Sequence, residues 1–398
     1  MNPHLAHLHS YPFEKLAQLK QGIKPPIDKA HINLSIGEPA HATPIFVRHA
    51  LIEQLDGLGA YPTSKGILEL RLAISTWLAK RFQLPELNPD TQILPVSGTR
   101  EALFSIAQCV LNTQTATKPL VVMPNPFYQI YEGAALLAGA EPYFLNTTAQ
   151  TGFLPELDSV PEAVWQRCQL LYLCSPGNPS GAVLSLEQLQ YALTLAERYD
   201  FIIAADECYS ELYYDEAKPP VSLLNAAYAA GNTDYKRCIV FHSLSKRSNA
   251  PGLRSGFVAG DAELLHDYYR YRTYHGCAMP LPTQHASIAA WQDEHHVSEN
   301  RQLYREKFNA VLTLLSGVCE LEQPPASFYL WLATPISDTE FARNLYAHEN
   351  VTVLPGSYLS RDNQGVNPGQ NYVRIALVPP LDECIKFAHR LKNFLASL

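Results

Sequence analysis

Residues 170–209 read LLYLCSPGNPSGAVLSLEQLQYALTLAERYDFIIAADECY. The apolar run 170–174 breaks into seven turn-forming residues, Ser175-Pro176-Gly177-Asn178-Pro179-Ser180-Gly181. Residues 186–199 carry apolar side chains at helical spacing, and the run 201–205 is apolar again before Asp206. Continuous apolar runs, rather than alternating ones, mark strands buried on both faces, and a helix between two of them marks a parallel pair.

The pattern extends outward. Runs 92–95, 120–123, 238–242 and 257–259 have the same character, while 100–111 and 128–138 show helical spacing. Alternation from about residue 91 to 260 predicts an α/β fold, a mostly parallel sheet with helices on both faces. The flanks differ. Residues 1–48 are short and Pro-punctuated, and 281–398 hold two long helical patterns, 283–315 and 381–398, around strand-like runs at 328–332 and 373–377. The reading is a large unit of residues 49–280 and a smaller α+β unit built from 1–48 and 281–398.

Composition narrows the function. With 30 Lys+Arg against 38 Asp+Glu, the 398-residue chain has a formal charge of −8, and 47% of it is apolar. It can bury a sizeable core, and an acidic chain without a long basic run is a poor nucleic-acid binder. A pocket can still be locally basic, so anionic small molecules remain suitable ligands. No apolar run reaches the ~18 residues of a membrane span, and residues 1–15 lack a signal-peptide pattern. The eight cysteines form no C-x-x-C pair and lie mostly in apolar stretches. That is the usage of reduced thiols in a cytoplasmic protein. His295-His296 reads as a solvated helix end, and without H-E-x-x-H or similar spacing no metal site is expected.

Doubly wound sheets bind ligands beyond the carboxyl ends of their strands, so the residues just after each run matter most. After 92–95 comes Ser97-Gly98-Thr99-Arg100-Glu101. A small turn opening a helix offers free N–H groups and a positive dipole end to a phosphate; an ordinary capped helix start is the other reading. Asn178 offers an amide after 170–174. Asp206 follows apolar residues, and a shielded carboxylate needs a cationic or hydrogen-bonding partner unless it caps a helix. After 238–242 comes Ser243-Leu244-Ser245-Lys246-Arg247-Ser248-Asn249. Burial and the adjacent Arg247 both push the Lys246 pKa down, making its amine a nucleophile able to form a Schiff base. Arg254, in Gly252-Leu253-Arg254-Ser255-Gly256, lies in a loop suited to an anion. A nucleophilic lysine, an acid, hydrogen-bond donors and an anion cradle are together what pyridoxal phosphate requires.

The ordered set Ser97-Gly98-Thr99, Pro124-Asn125-Pro126-Phe127-Tyr128, Asn178-Pro179-x-Gly181, Asp206-x-x-Tyr209, Ser243-x-Ser245-Lys246 and Arg254 resembles the class I aminotransferases of pyridoxal-phosphate fold type I. It extends to Tyr61 with Gly66 and Leu70-Arg71, and to Arg374 in Asn371-Tyr372-Val373-Arg374-Ile375, covering about residues 32 to 380. The resemblance implies a seven-stranded sheet. It also implies that Lys246 is the Schiff-base lysine and proton shuttle, that Asp206 pairs with the pyridinium nitrogen, and that Asn178 and Tyr209 meet the 3-oxygen. On the same resemblance Gly98, Thr99, Arg100, Ser243, Ser245 and Arg254 surround the phosphate, and Tyr128 stacks on the ring. Tyr61 would reach a neighbouring subunit's phosphate, which implies a homodimer with shared active sites. Arg374 would clamp the substrate α-carboxylate bidentately, helped by the Gly37 backbone.

A finer resemblance lies in Tyr11-Pro12-Phe13-Glu14-Lys15-Leu16, Ser245-Lys246-Arg247-Ser248-Asn249 and Tyr271-Arg272-Thr273-Tyr274-His275-Gly276-Cys277-Ala278-Met279-Pro280. These are similar to the bacterial succinyldiaminopimelate transaminases of lysine biosynthesis. The implied reaction is ping-pong, from N-succinyl-LL-2,6-diaminopimelate and 2-oxoglutarate to N-succinyl-2-amino-6-oxopimelate and glutamate. So long and anionic a donor requires a second cation, for which Arg272, Arg100 and His275 are the candidates; Arg272 reads equally as a solvated helix charge. The alternatives are a relative using acetylornithine, aspartate or an aromatic amino acid, or a C–S lyase. Ser243-x-x-Lys246 also matches the acylating pair of penicillin-binding enzymes, but S-D-N and K-T-G are absent. A transcription regulator would need an added DNA-binding domain, for which a pattern starting near residue 32 leaves no room.

Overall fold

The computed structural model describes all 398 residues. Its strands are β1 (Ile32–Asn33), β2 (Ile93–Val96), β3 (Leu120–Asn125), β4 (Glu141–Asn146), β5 (Cys168–Cys174), β6 (Ile202–Asp206), β7 (Cys238–Ser243), β8 (Gly256–Gly260), β9 (Tyr329–Ala333), β10 (Val351–Thr352), β11 (Leu354–Pro355) and β12 (Tyr372–Ala376). Seven form the central sheet in the order β2-β8-β7-β6-β5-β3-β4. The run from β7 to β4 is parallel, and β8 is antiparallel to both its neighbours.

The strands are continuously apolar because helices cover both faces. Leu171 and Leu173 of β5, Ile203 and Ala205 of β6 and Val240 of β7 enter one core. Leu170, Tyr172, Ala204, Ile239 and Phe241 enter the other. Each larger side chain so buried contributes roughly 1.5–3 kcal/mol of transfer free energy. Helix Leu186–Tyr199 starts at Ser185, whose hydroxyl accepts the Gln188 N–H, and stops at Asp200 in the left-handed conformation. Its buried face, Leu189, Ala192, Leu193 and Ala196, closes the first core.

Both chain ends share a third core. β1 pairs with β10, and β11, β12 and β9 form an antiparallel sheet. Ile32 and Leu34 pack there with Phe308, Phe341, Phe387 and Leu391. The pattern at 283–315 is two helices, Leu281–Gln292 and His295–Leu315. Asp293 leaves helical geometry between them, and its carboxylate accepts the His296 N–H at 2.9 Å. The first helix packs on Leu68–Phe82 and places Ala286, Ala290 and Trp291 in the core beneath the central sheet, so a division after residue 280 crosses packed side chains. Edge strand β4 escaped the sequence reading because only Leu145 in it is buried, leaving no apolar run. No helix is long and apolar enough to cross a membrane.

Candidate active site

The carboxyl ends of β2, β5, β6 and β7 open on one cavity of about 570 Å³. Because β8 runs the other way, it starts at that edge and brings Arg254 to the same place.

Lys246 lies in the single turn Leu244–Arg247, capped by Ser243, whose hydroxyl oxygen accepts the Ser245 N–H at 3.1 Å. Its Nζ donates to the Gly37 carbonyl and stands 5.5 Å from the Phe328 ring centroid. Burial lowers the amine to about 8; Arg374 pushes the same way, and Cys208, Glu38 and Asp206 oppose it. The expected like-charge push from Arg247 is absent. That guanidinium turns away, lies over Trp77 and Trp291, donates to the Ala290 carbonyl at 2.6 Å and pairs with Glu294.

Asp206 is buried at the end of β6. Its Oδ2 accepts the Tyr131 hydroxyl at 2.6 Å and its Oδ1 the Cys208 N–H at 3.2 Å. It opens a turn, so the helix-cap reading falls. Burial raises the carboxyl above its ordinary range, and the two hydrogen bonds resist that. Glu207 points elsewhere. One oxygen takes the Ser222 hydroxyl and the Leu223 N–H, and the other lies 3.0 Å from His242 Nε2.

Arg374 donates from Nη1 to Asn178 Oδ1 and from Nη2 to the Ser35 carbonyl, both at 2.8 Å, with its guanidinium 4.3 Å from the Tyr329 centroid. Tyr329 and Tyr209 share a hydroxyl–hydroxyl bond of 2.9 Å. Gly37 approaches Tyr329 so closely that a Cβ there would lie 1.8 Å from the phenol oxygen, so any other residue would force the buried Tyr329 ring, and its bond to Tyr209, to shift.

At the far end, helix Thr99–Val110 begins after Gly98 at φ 86° with no side chain capping its first N–H groups. A Cβ on Gly98 would lie 2.2 Å from Arg254 Nη2. Open N–H groups, an arginine and the hydroxyls of Thr99, Ser243 and Ser245 face one space, a ready anion cradle. At the mouth Arg100 donates to the Tyr128 hydroxyl at 2.7 Å and to the Tyr11 hydroxyl at 3.2 Å.

The sequence-derived set is thus largely gathered. Gly37, Thr99, Arg100, Tyr128, Asn178, Asp206, Tyr209, Ser243, Ser245, Lys246, Arg254 and Arg374 all line the cavity, and Gly98 lies against Arg254. Tyr61 stands outside it, fully exposed on the single chain. Two cation candidates fail to reach the cavity. Arg272 is buried and clamps Glu101 at 2.6 and 2.9 Å, so it is neither solvated nor free for a ligand. His275 is exposed elsewhere, near that same Glu101 and Cys277. His296, read as solvated, is buried between Asp293 at 2.6 Å and the Ser248 hydroxyl at 2.8 Å. None of the three residues of that serine–histidine–aspartate array lines the Lys246 cavity; Ser248 is wholly buried, and the array ties the Lys246 loop to the helix junction. Sequence reasoning missed Tyr329, Tyr131 and Cys208. Only Tyr329 had a signal, its place in the strand-like run 328–332.

A family model described as aminotransferase class I and II matches residues 29–391. The chain is 30% identical over 369 residues to an LL-diaminopimelate aminotransferase of Dehalococcoides mccartyi, covering 91% of each. With the LL-diaminopimelate aminotransferase of Aquifex aeolicus it shares 30% identity over 393 residues, 97% of each. An aminotransferase structure from Neisseria meningitidis aligns at a TM-score of 0.95 and 49% identity over 100% of both chains. One from Helicobacter pylori aligns at 0.90 and 38%, covering 98% of this chain and 100% of the other.

Proposed function

The chain belongs to the class I and II aminotransferases, and we propose that it transfers the amino group of N-succinyl-LL-2,6-diaminopimelate to 2-oxoglutarate in lysine biosynthesis. The cofactor is pyridoxal 5'-phosphate. When bound, it supplies an aldehyde carbon for the amino group and a cationic ring that draws electrons from the bond being broken. The residues fit it. Gly98, the uncapped helix start and Arg254 suit the phosphate, and the shielded Asp206 suits a ring N–H. In this reading Asn178 and Tyr209, which line the same cavity, would serve the ring's 3-oxygen, and Tyr128 would cover the ring. Arg374 binds the α-carboxylate and holds the α-carbon beside Lys246. The Lys246 amine, partly neutral near pH 8 and 5.5 Å from the Phe328 ring centroid, takes the α-proton.

The observation that carries the substrate is Arg100. Its hydrogen-bond partners at the mouth are two neutral hydroxyls, so its charge stays available. The distal end of N-succinyl-LL-diaminopimelate bears two carboxylates and no ammonium. Free LL-diaminopimelate carries a distal ammonium beside its carboxylate, and apart from Asp206 the one lining carboxylate to receive it is Glu38. That second donor is still favoured by the names of the relatives at 30% identity. A half-reaction titration followed by cofactor absorbance decides between them. Rapid conversion by N-succinyl-LL-diaminopimelate and glutamate is expected, with little by LL-diaminopimelate, aspartate or aromatic amino acids. Preference for LL-diaminopimelate would overturn the succinyl assignment and leave the aminotransferase intact.

The same reading makes the enzyme a homodimer with shared sites, since exposed Tyr61 is free to reach a second subunit's phosphate. Mixed Tyr61→Phe and Lys246→Ala subunits would test it; hybrids without complementation, after proven subunit exchange, would count against sharing. The division into a large unit and a smaller one from both chain ends belongs to this reading, as does a cytoplasmic setting, which eight unpaired cysteines support.

A further inference from the structure

We propose that Tyr131 is a positioning residue whose hydroxyl aims the Asp206 carboxylate and keeps it ionised, and so fixes the proton on the cofactor's ring nitrogen. The inference rests on the reading of Asp206 as that nitrogen's partner. Tyr131 belongs to helix Gln129–Leu137, is wholly buried and lies outside the cavity, so it touches no substrate.

Three observations converge on it. Its hydroxyl donates to Asp206 Oδ2 at 2.6 Å, while the Cys208 N–H holds Oδ1, so both oxygens are tied and the carboxylate plane is set. Its ring stacks on Tyr172 at 4.6 Å and 11°, and Tyr172 in turn donates to the Leu103 carbonyl at 2.6 Å. That stack removes the ring's freedom to swing away from Asp206. Finally, both donors are uncharged, so the carboxylate depends on hydrogen bonds against a burial that favours its protonated form. Burial and the neighbouring Asp206 also push the phenol well above its ordinary pKa. The hydroxyl therefore stays a donor across the working range, where a histidine would change state near neutrality.

Holoenzyme carrying Tyr131→Phe keeps the ring and its stack while losing the donor. The pH midpoint of the bound cofactor's absorbance should rise, because a less firmly protonated ring leaves the attached nitrogen more basic. The donor half-reaction should slow about tenfold with little change in KM. A role in packing alone would lower Tm and move neither. Tyr172→Phe is the control, since its hydroxyl bonds a backbone carbonyl; an equal midpoint shift there would overturn the proposal. Tyr131→His restores a donor, and should recover most of the rate while adding a pH dependence near neutrality. Should the phenylalanine variant not fold, that added dependence carries the test, and an unaltered profile overturns the proposal. Asp206→Ala separates the two levels. If it is crippled while Tyr131→Phe keeps the wild-type midpoint and rate, this inference fails alone. A near-normal Asp206→Ala enzyme would remove the reading beneath it.

Discussion

At the floor of the cavity, Asp206 and Lys246 leave neighbouring strands of one sheet, and their hydrogen-bond partners are Tyr131, Cys208 and Gly37. At its mouth, Arg100, Tyr128 and Tyr11 come from three separate segments, and Arg100 is exposed. Sheet register fixes the floor to within the tolerance of packed side chains, whereas the mouth depends on hydroxyls that compete with water. Chemistry common to every amino donor belongs where geometry is rigid, and discrimination between donors belongs where residues can differ at small structural cost.

The largest effect should come from the floor. Lys246→Ala is expected to slow the donor half-reaction by about a thousandfold or more, whichever amino acid is offered. Retained transamination in stopped-flow absorbance would remove the floor from the chemistry and collapse the distinction. The pH profile is a second test. With the Lys246 amine lowered to about 8, half is neutral there, and the base fraction falls tenfold per unit below. The half-reaction rate should therefore climb through the range from pH 6 and level above 8, a span of about a hundredfold. A flat profile would mean that the amine is neutral for another reason or is not the base.

Arg374 bridges the regions, since the α-carboxylate contact proposed for it would serve all donors. Arg374→Ala should cut kcat/KM by about 10–100-fold for long and short donors alike. Arg100→Ala should be selective, raising KM for N-succinyl-LL-diaminopimelate about tenfold and leaving glutamate within twofold. Equal losses on both substrates would assign Arg100 to the cofactor cradle and leave the mouth without its cation.

The floor was readable in the sequence because its residues follow apolar runs without a gap. Asp206 ends one run, Ser243 and Lys246 follow another, and strand ends of one sheet must meet. Charge partners were not readable. Arg272 and Arg100 look alike along the chain, yet Arg272 is neutralised by Glu101, 171 positions away. Lys246 is pushed down by burial and by Arg374, rather than by the adjacent Arg247 that sequence offered. Tyr131 shares helical spacing with the core, and no pattern separates a buried tyrosine that holds a carboxylate from one that fills space. His295 and His296 are neighbours with opposite fates, since a helix start exposes one and turns the next inward.

The smallest effect should come from Tyr11, whose phenol touches Arg100 and no other charged group in a hydrogen bond. A half-exposed bond of 3.2 Å is worth about 0.5–1 kcal/mol, so Tyr11→Phe should raise KM for the succinylated donor roughly threefold. Neither kcat nor the glutamate half-reaction should move, because the floor is untouched. The double variant decides whether the mouth acts as one unit. If Tyr11 works only by orienting Arg100, adding Tyr11→Phe to Arg100→Ala should cost nothing further, and the coupling energy equals the whole single effect. A threefold loss that persists without Arg100 would make Tyr11 a wall in its own right. The mouth would then be two independent contacts, and its selectivity would be a sum of small terms.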